Sequence, residues 1–97
     1  MSYSHLIVDG MLSGTGVRDA VKGGYIELIE LNISNSLIEK ISEWQKNYEE
    51  AHFFQFSDDL NNKILDDRGI EISKIIRQEL PNVRIEYFSN ANMKMII

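Results

Sequence analysis

Between Ser34 and Phe54 the apolar residues Leu37, Ile41, Trp44, Tyr48 and Ala51 recur at steps of four, three, four and three. At about 100° per residue these five fall within roughly 80° of one another, the stripe of an amphipathic helix of about sixteen residues. Such a stripe has to lie on something, so this helix forms one wall of a core. Its opposite face carries Glu39, Glu43, Lys46 and Glu50, a mostly acidic surface for solvent or a partner. Ser34 or Ser36 can cap it. Ser36 with Glu39 makes an S-x-x-E capping box, in which each side chain satisfies the other residue's free backbone N–H.

The rest of the chain supplies what the stripe rests on. Residues 5–12, HLIVDGML, read as a buried strand because a short run with β-branched residues precedes a glycine-rich segment. Ser13 to Gly24 holds four of the six glycines and reads as a loop or irregular turn with room for one helical turn at Val17 to Val21. Tyr25 to Leu31 fits neither strict alternation nor a clean helix and is read as a short extended segment. HFFQFS, residues 52–57, ends the first helix, and Asp58 and Asp59 favour the positive start of a second. In that helix Leu65, Ile72 and Ile76 share a face, Ile64 and Ile75 flank it, and Pro81 stops it. Gly69 costs roughly 1 kcal/mol against alanine inside a helix, so either the helix breaks there or another element approaches closely. Val83, Ile85 and Tyr87 alternate with polar neighbours, SNAN (89–92) is a turn, and residues 93–97 form a second strand of a hairpin. The expected fold is a single α+β domain over 1–97, in two layers. A small, mainly antiparallel sheet, built from the N-terminal strand and the C-terminal hairpin, is covered by two main helices.

Fifteen acidic residues against ten basic ones give a net charge of −5, which makes direct binding to a phosphate backbone unfavourable. A basic protein partner is the natural complement, although a charge of this size also serves plain solubility. There is no cysteine, hence no disulfide or thiolate metal site. No apolar run approaches the ~20 residues that span a bilayer, and the first five residues lack a leader pattern, so a cytoplasmic protein without membrane contact is expected.

Constellations that could carry chemistry are incomplete. Glu49-x-x-His52 has the spacing of one arm of a helical di-iron site, but the second arm is missing, and His52 reads as a packing residue at the helix end. His5 and Asp9 lie on one face of a strand about 13 Å apart, too far for proton relay. Gly14-Thr15-Gly16-Val17-Arg18-Asp19 lacks both nucleotide-loop spacings and reads as a tight turn. No catalytic residue, metal or cofactor is therefore assigned. Asp58, Asp59, Asp66, Asp67 and Glu71 make the second helix acidic. On an uninterrupted helix Asp59, Asp66 and Ile70 project to one side, Ile70 being an aliphatic anchor among carboxylates; a break at Gly69 would instead turn Ile70 inward.

Leu12-Ser-Gly-Thr-Gly-Val-Arg-Asp19, Gly23-Gly24-Tyr25-Ile26, Trp44 with Tyr48-Glu49-Glu50-Ala51-His52, Gly69-Ile70-Glu71-Ile72 and Tyr87-Phe88-Ser89 together resemble small bacterial immunity proteins encoded beside polymorphic toxins, including contact-dependent growth inhibition systems. The resemblance implies a non-catalytic cytoplasmic antitoxin that binds the C-terminal toxin domain of a cognate protein, often a basic nuclease. It carries over no contact residues. From charge and pattern, the partner-binding candidates are Asp58, Asp59, Asp66, Asp67, Ile70 and Glu71, with Glu39, Glu43 and Glu50 secondary. Two alternatives stand beside it: an adaptor that acts by homodimerisation, and a small-molecule binder using the glycine-rich loop 13–24.

Overall fold

The computed structural model describes residues 3–97; Met1 and Ser2, on which the leader reading partly rests, lie outside them. The chain runs β1 (His5–Asp9), β2 (Gly16–Asp19), a 3₁₀ turn (Leu28–Glu30), α1 (Asn35–Phe53), α2 (Asp59–Glu79), β3 (Arg84–Ser89) and β4 (Lys94–Met95). It is an α+β fold in which two helices cover a four-stranded sheet of order β2-β1-β3-β4. The sheet, expected to be mainly antiparallel, is mixed: two of its three pairings are antiparallel and one is parallel. β1 pairs antiparallel with β2 and parallel with β3, and β3 and β4 form the expected antiparallel hairpin. Both helices lie between β1 and β3 in sequence, and such a long crossover is what a parallel pairing requires.

β2 falls inside the segment expected to be loop. Its role follows from Val17, which stands opposite Val8 in the ladder and is fully buried. Gly16 has φ +103, and a Cβ there would lie 2.8 Å from Ile41 Cγ2, so this glycine lets the strand pass under α1. Asp19 closes the loop by accepting N–H bonds from Val21 (2.8 Å) and Lys22 (3.1 Å). These bonds, that from Lys22 foremost, hold its carboxyl below the usual carboxylate range. The segment from Tyr25 is not extended throughout. It bridges Arg18 at Tyr25 and then tightens into the 3₁₀ turn, which buries Ile26, Leu28 and Leu31.

α1 is the helix that the stripe specified: Leu37, Ile41, Trp44, Tyr48 and Ala51 are all buried. Ser34 caps it, accepting the Leu37 N–H at 3.3 Å, so the Ser36–Glu39 box does not form. Ser34 is held from the far end of α2, whose Glu79 takes its N–H (2.6 Å) and its hydroxyl proton (2.8 Å). The cross-helix pairs Ser34–Glu79, Lys40–Glu71 and Trp44–Leu65 run in opposite sequence order, so α1 and α2 are antiparallel.

α2 is continuous through Gly69. A Cβ at Gly69 would lie 2.6 Å from Cζ and 2.7 Å from the hydroxyl oxygen of Tyr87, a fully buried ring on β3. The glycine therefore serves close approach, and the helix does not break. Asp58 caps α2 by accepting the Asn61 N–H at 3.0 Å. No described helix is long and apolar enough to cross a membrane.

Gly69→Ala should gain about 1 kcal/mol of helix propensity yet destabilise the protein by about 1–3 kcal/mol through overpacking against Tyr87. Urea denaturation measures this, and a stabilised variant would contradict the packing.

Candidate binding surface

The acidic residues singled out from the sequence take three settings once they are placed on the fold, Asp67 sharing the second and third and Asp58 standing at the corner between the helices. The first is Asp66 alone. It is 7% exposed, so its expected position on an exposed acidic face is corrected: it belongs to the core. Oδ1 accepts the hydroxyls of Tyr48 (2.8 Å) and Tyr87 (2.5 Å), and Oδ2 accepts those of Ser89 (2.6 Å) and, through its amide, Asn92 (3.2 Å). The four donors fill the carboxylate's capacity without a cation. The bonds continue outward, because the Tyr48 hydroxyl accepts the Ala91 N–H and the Ser89 hydroxyl accepts the Asn92 N–H, each at 3.0 Å. One side chain thus ties α1, α2, β3 and the hairpin turn together.

The second group flanks Asp66. Asp59, Asp66, Asp67 and Ile70 line one cleft of about 390 Å³ with Asn92 and Ile96, so these residues do share a side of the helix. Ile70 is half-buried against the core rather than a free anchor, because the hairpin closes over that side. Asp67 is paired with Lys63 at 2.8 Å.

The third group stands on the solvent side of the helical layer. On α1, Glu39, Glu43, Lys46, Glu50 and Phe53 follow one another at four, three, four and three residues, and all are exposed. On α2, Leu60, Ile64, Asp67 and Glu71 do the same at four, three and four, also exposed. Lys40 reaches from α1 to Glu71 at 3.7 Å, an exposed pair worth at most about 1 kcal/mol. The candidates of both helices therefore meet on one face, although the sequence patterns present them separately.

That face ends at the α1–α2 corner in large apolar side chains that the core does not use. Phe53, Phe54 and Leu60 are 77%, 73% and 69% exposed, and Ile64 is about half exposed. The corner is held in an unusual shape, because Gln55 and Phe56 both have φ +54, uncommon for side-chain-bearing residues. Phe56 is fixed there by its ring on His52 (4.7 Å) and Tyr48 (5.8 Å), and its carbonyl accepts the Asn62 amide at 2.9 Å. Asp58, the cap of α2, stands beside Glu50 on a cleft of about 430 Å³ between the two helices at this corner. Periodicity missed Phe53, Phe54 and Leu60; three apolar residues flanking a predicted helix boundary were the available signal.

The remaining motifs are used internally. His52 Nε2 lies 3.2 Å from the Gly10 carbonyl, His5 pairs with Glu86 across the sheet, and no three ligating side chains converge among the described residues. In the glycine-rich loop, the Gly14 and Gly23 N–H groups bond to the carbonyls of Met11 and Asp19, and the Thr15 hydroxyl donates to Ile26 at 2.7 Å. Asp9, buried on the outer side of the sheet, accepts Arg18 Nε at 2.6 Å, the Met11 N–H and the Asn90 amide.

No model of a known protein family matches the chain, and no curated protein sequence matches it.

Asp66→Asn would face the two tyrosine hydroxyls and Ser89 with a weaker acceptor and surplus donors, so we expect a loss of about 2–4 kcal/mol in urea unfolding. A change under about 0.5 kcal/mol, the size for a surface residue, would contradict the hub. Burial, the first cause in each case, also pushes up the Tyr87 and Tyr48 hydroxyls and raises Tyr25 to about 12. A raised tyrosine favours the neutral form in the folded state. Its contribution is fully present below the unfolded value of about 10 and is lost as pH rises above it. Phenolate absorbance should therefore show these tyrosines titrating above about pH 10, together with alkaline unfolding. Titration of Tyr48 and Tyr87 near 10 with the fold intact would contradict their burial.

Proposed function

We propose that this protein is a non-catalytic binding domain that neutralises a basic protein partner, in the manner of an immunity protein that blocks the C-terminal toxin domain of a cognate polymorphic toxin. The observation that carries the reading is the exterior of the helical layer. There Glu39, Glu43 and Glu50 of α1, with Lys46 among them, and Asp67 and Glu71 of α2, paired with Lys63 and Lys40, share one solvent face with exposed Phe53, Leu60 and Ile64. Exposed apolar anchors with a charged surround are how protein-binding hot spots are built, and an acidic field speeds encounter with a basic surface. A nuclease has to accept a polyanion and is basic around its site, so an acidic face can occupy that surface or the path to it. The net charge of −5 and the resemblance of the landmark segments to immunity proteins point the same way. The protein would act in the cytoplasm, where such a toxin has to be met.

The interface of this proposal is the helix exterior. Asp66 is left out of it because both its oxygens are occupied in the core.

The direct test is co-purification with, and protection against, a toxin domain should one be encoded in the neighbouring gene; such a domain neither bound nor blocked would sink the reading. Within it, Glu43→Lys together with Glu50→Lys should slow association by about three- to tenfold at low ionic strength, and the gap should shrink as salt is added. Unchanged association kinetics would move the interface off this face.

A further inference from the structure

The corner cleft has a more specific chemistry than the face around it. We propose that it is the anchor pocket for a single arginine or lysine side chain of the partner, flanked by apolar residues that rest on Phe53 and Phe54. This rests on the binding-domain reading above.

The cleft, about 430 Å³, lies between the end of α1 and the start of α2, with Ala51 and Leu65 among its apolar lining residues. That volume is within the roughly 300–1,000 Å³ of ordinary ligand pockets. Glu50 and Asp58 bring two carboxylates to it against one cation, Arg68. The cleft also lies at the carbonyl-bearing end of α1, which attracts positive charge although the Glu50, Ala51 and His52 carbonyls already accept the Phe54, Phe56 and Gln55 N–H groups. The opposing positive end of α2 is partly satisfied, because Asp58 takes the Asn61 N–H through its side chain and the Asn62 N–H through its carbonyl. Asn62 commits its amide to the Phe56 carbonyl, and its amide oxygen is buried without a hydrogen-bonding partner. Two carboxylates against one guanidinium leave the cleft with a negative balance, which suits a cationic group that donates hydrogen bonds. Beside it stand the two most exposed phenylalanines, Phe53 and Phe54, whose ring faces attract a cation as well as an apolar neighbour.

The test is an NMR titration of the ¹⁵N-labelled protein with acetyl-Gly-Leu-Arg-Leu-Gly-amide, its citrulline counterpart and its glutamate counterpart. Saturable shifts should appear at Ala51, Phe54, Asn61 and Asn62 with the arginine peptide. The citrulline peptide should bind at least about fivefold more weakly, with a smaller difference at higher salt. Glu50→Gln and Asp58→Asn should each weaken the arginine peptide by about threefold, and Asn keeps the α2 cap, so the fold is retained. Equal affinity for arginine and citrulline, preference for the glutamate peptide through Arg68, shifts that map elsewhere, or no saturable shift would each overturn the pocket. A toxin domain bound undiminished by the Glu50→Gln, Asp58→Asn double variant would overturn the pocket alone. Capture of the arginine peptide by a protein that binds no such toxin would overturn the neutralising function and leave the pocket standing.

Discussion

A buried carboxylate without a counter-ion is the constraint on which the rest of this structure depends. Taking a charge out of water costs several kcal/mol unless its lone pairs are satisfied. Asp66 meets that requirement with two tyrosines, a serine and an asparagine amide drawn from α1, β3 and the hairpin turn. Each donor has to be placed by the fold, so satisfying the carboxylate and assembling the two layers are the same event. Tyr87 can reach Asp66 only by crossing α2 where there is no side chain, which is why Gly69 sits one turn of the helix from Asp66. The turn at 89–92 is then held by the partners of the same network, with the Ala91 and Asn92 N–H groups bonded to Tyr48 and Ser89.

This arrangement also decides what remains available for recognition. Asp66 is consumed inside, Glu79 fastens Ser34, and Asp9 is spent on Arg18 and Asn90 on the other side of the sheet. Among the carboxylates that hold no backbone or core group in place, Glu39, Glu43 and Glu50 stand on the helix exterior. The corner beside them carries local strain, since two successive residues in the left-handed region cost of order 1–3 kcal/mol each. Gln55 and Phe56 keep that geometry while Phe53 and Phe54 stand in solvent. Strain and exposed aromatic surface at one place, on a scaffold tied down elsewhere, are the physical basis for proposing that a partner docks at this end of the layer.

Much of the scaffold was legible in the residues. The four-three spacing in α1 predicts which side chains are buried, Pro81 marks the end of α2, and alternation around Tyr87 predicts the hairpin strand. What was not legible depended on partners distant in sequence. β2 is four residues long and lies among glycines, so only pairing with β1 makes it a strand. The parallel register of β1 with β3 has no local pattern. Asp66 sits at the border of the apolar face of α2, where a carboxylate ordinarily reads as solvated. Its burial becomes visible only when the hydroxyls of Tyr48 and Tyr87, both on core-facing positions, are asked for an acceptor. The helical pattern puts Ile70 on the side of Asp59 and Asp66, but the hairpin that half-covers it leaves no local signal. The exterior candidates on α1 and α2 were each visible; their meeting on one face required the antiparallel packing.

The most direct measurement of the central claim is native-state hydrogen exchange at Ala91 and Asn92. If the Asp66 network fastens the turn to the helices, these two amides should exchange only with global unfolding, with the same protection as amides in β1 and β3. Exchange through local fraying, fast in the turn while β1 and β3 stay protected, would contradict it.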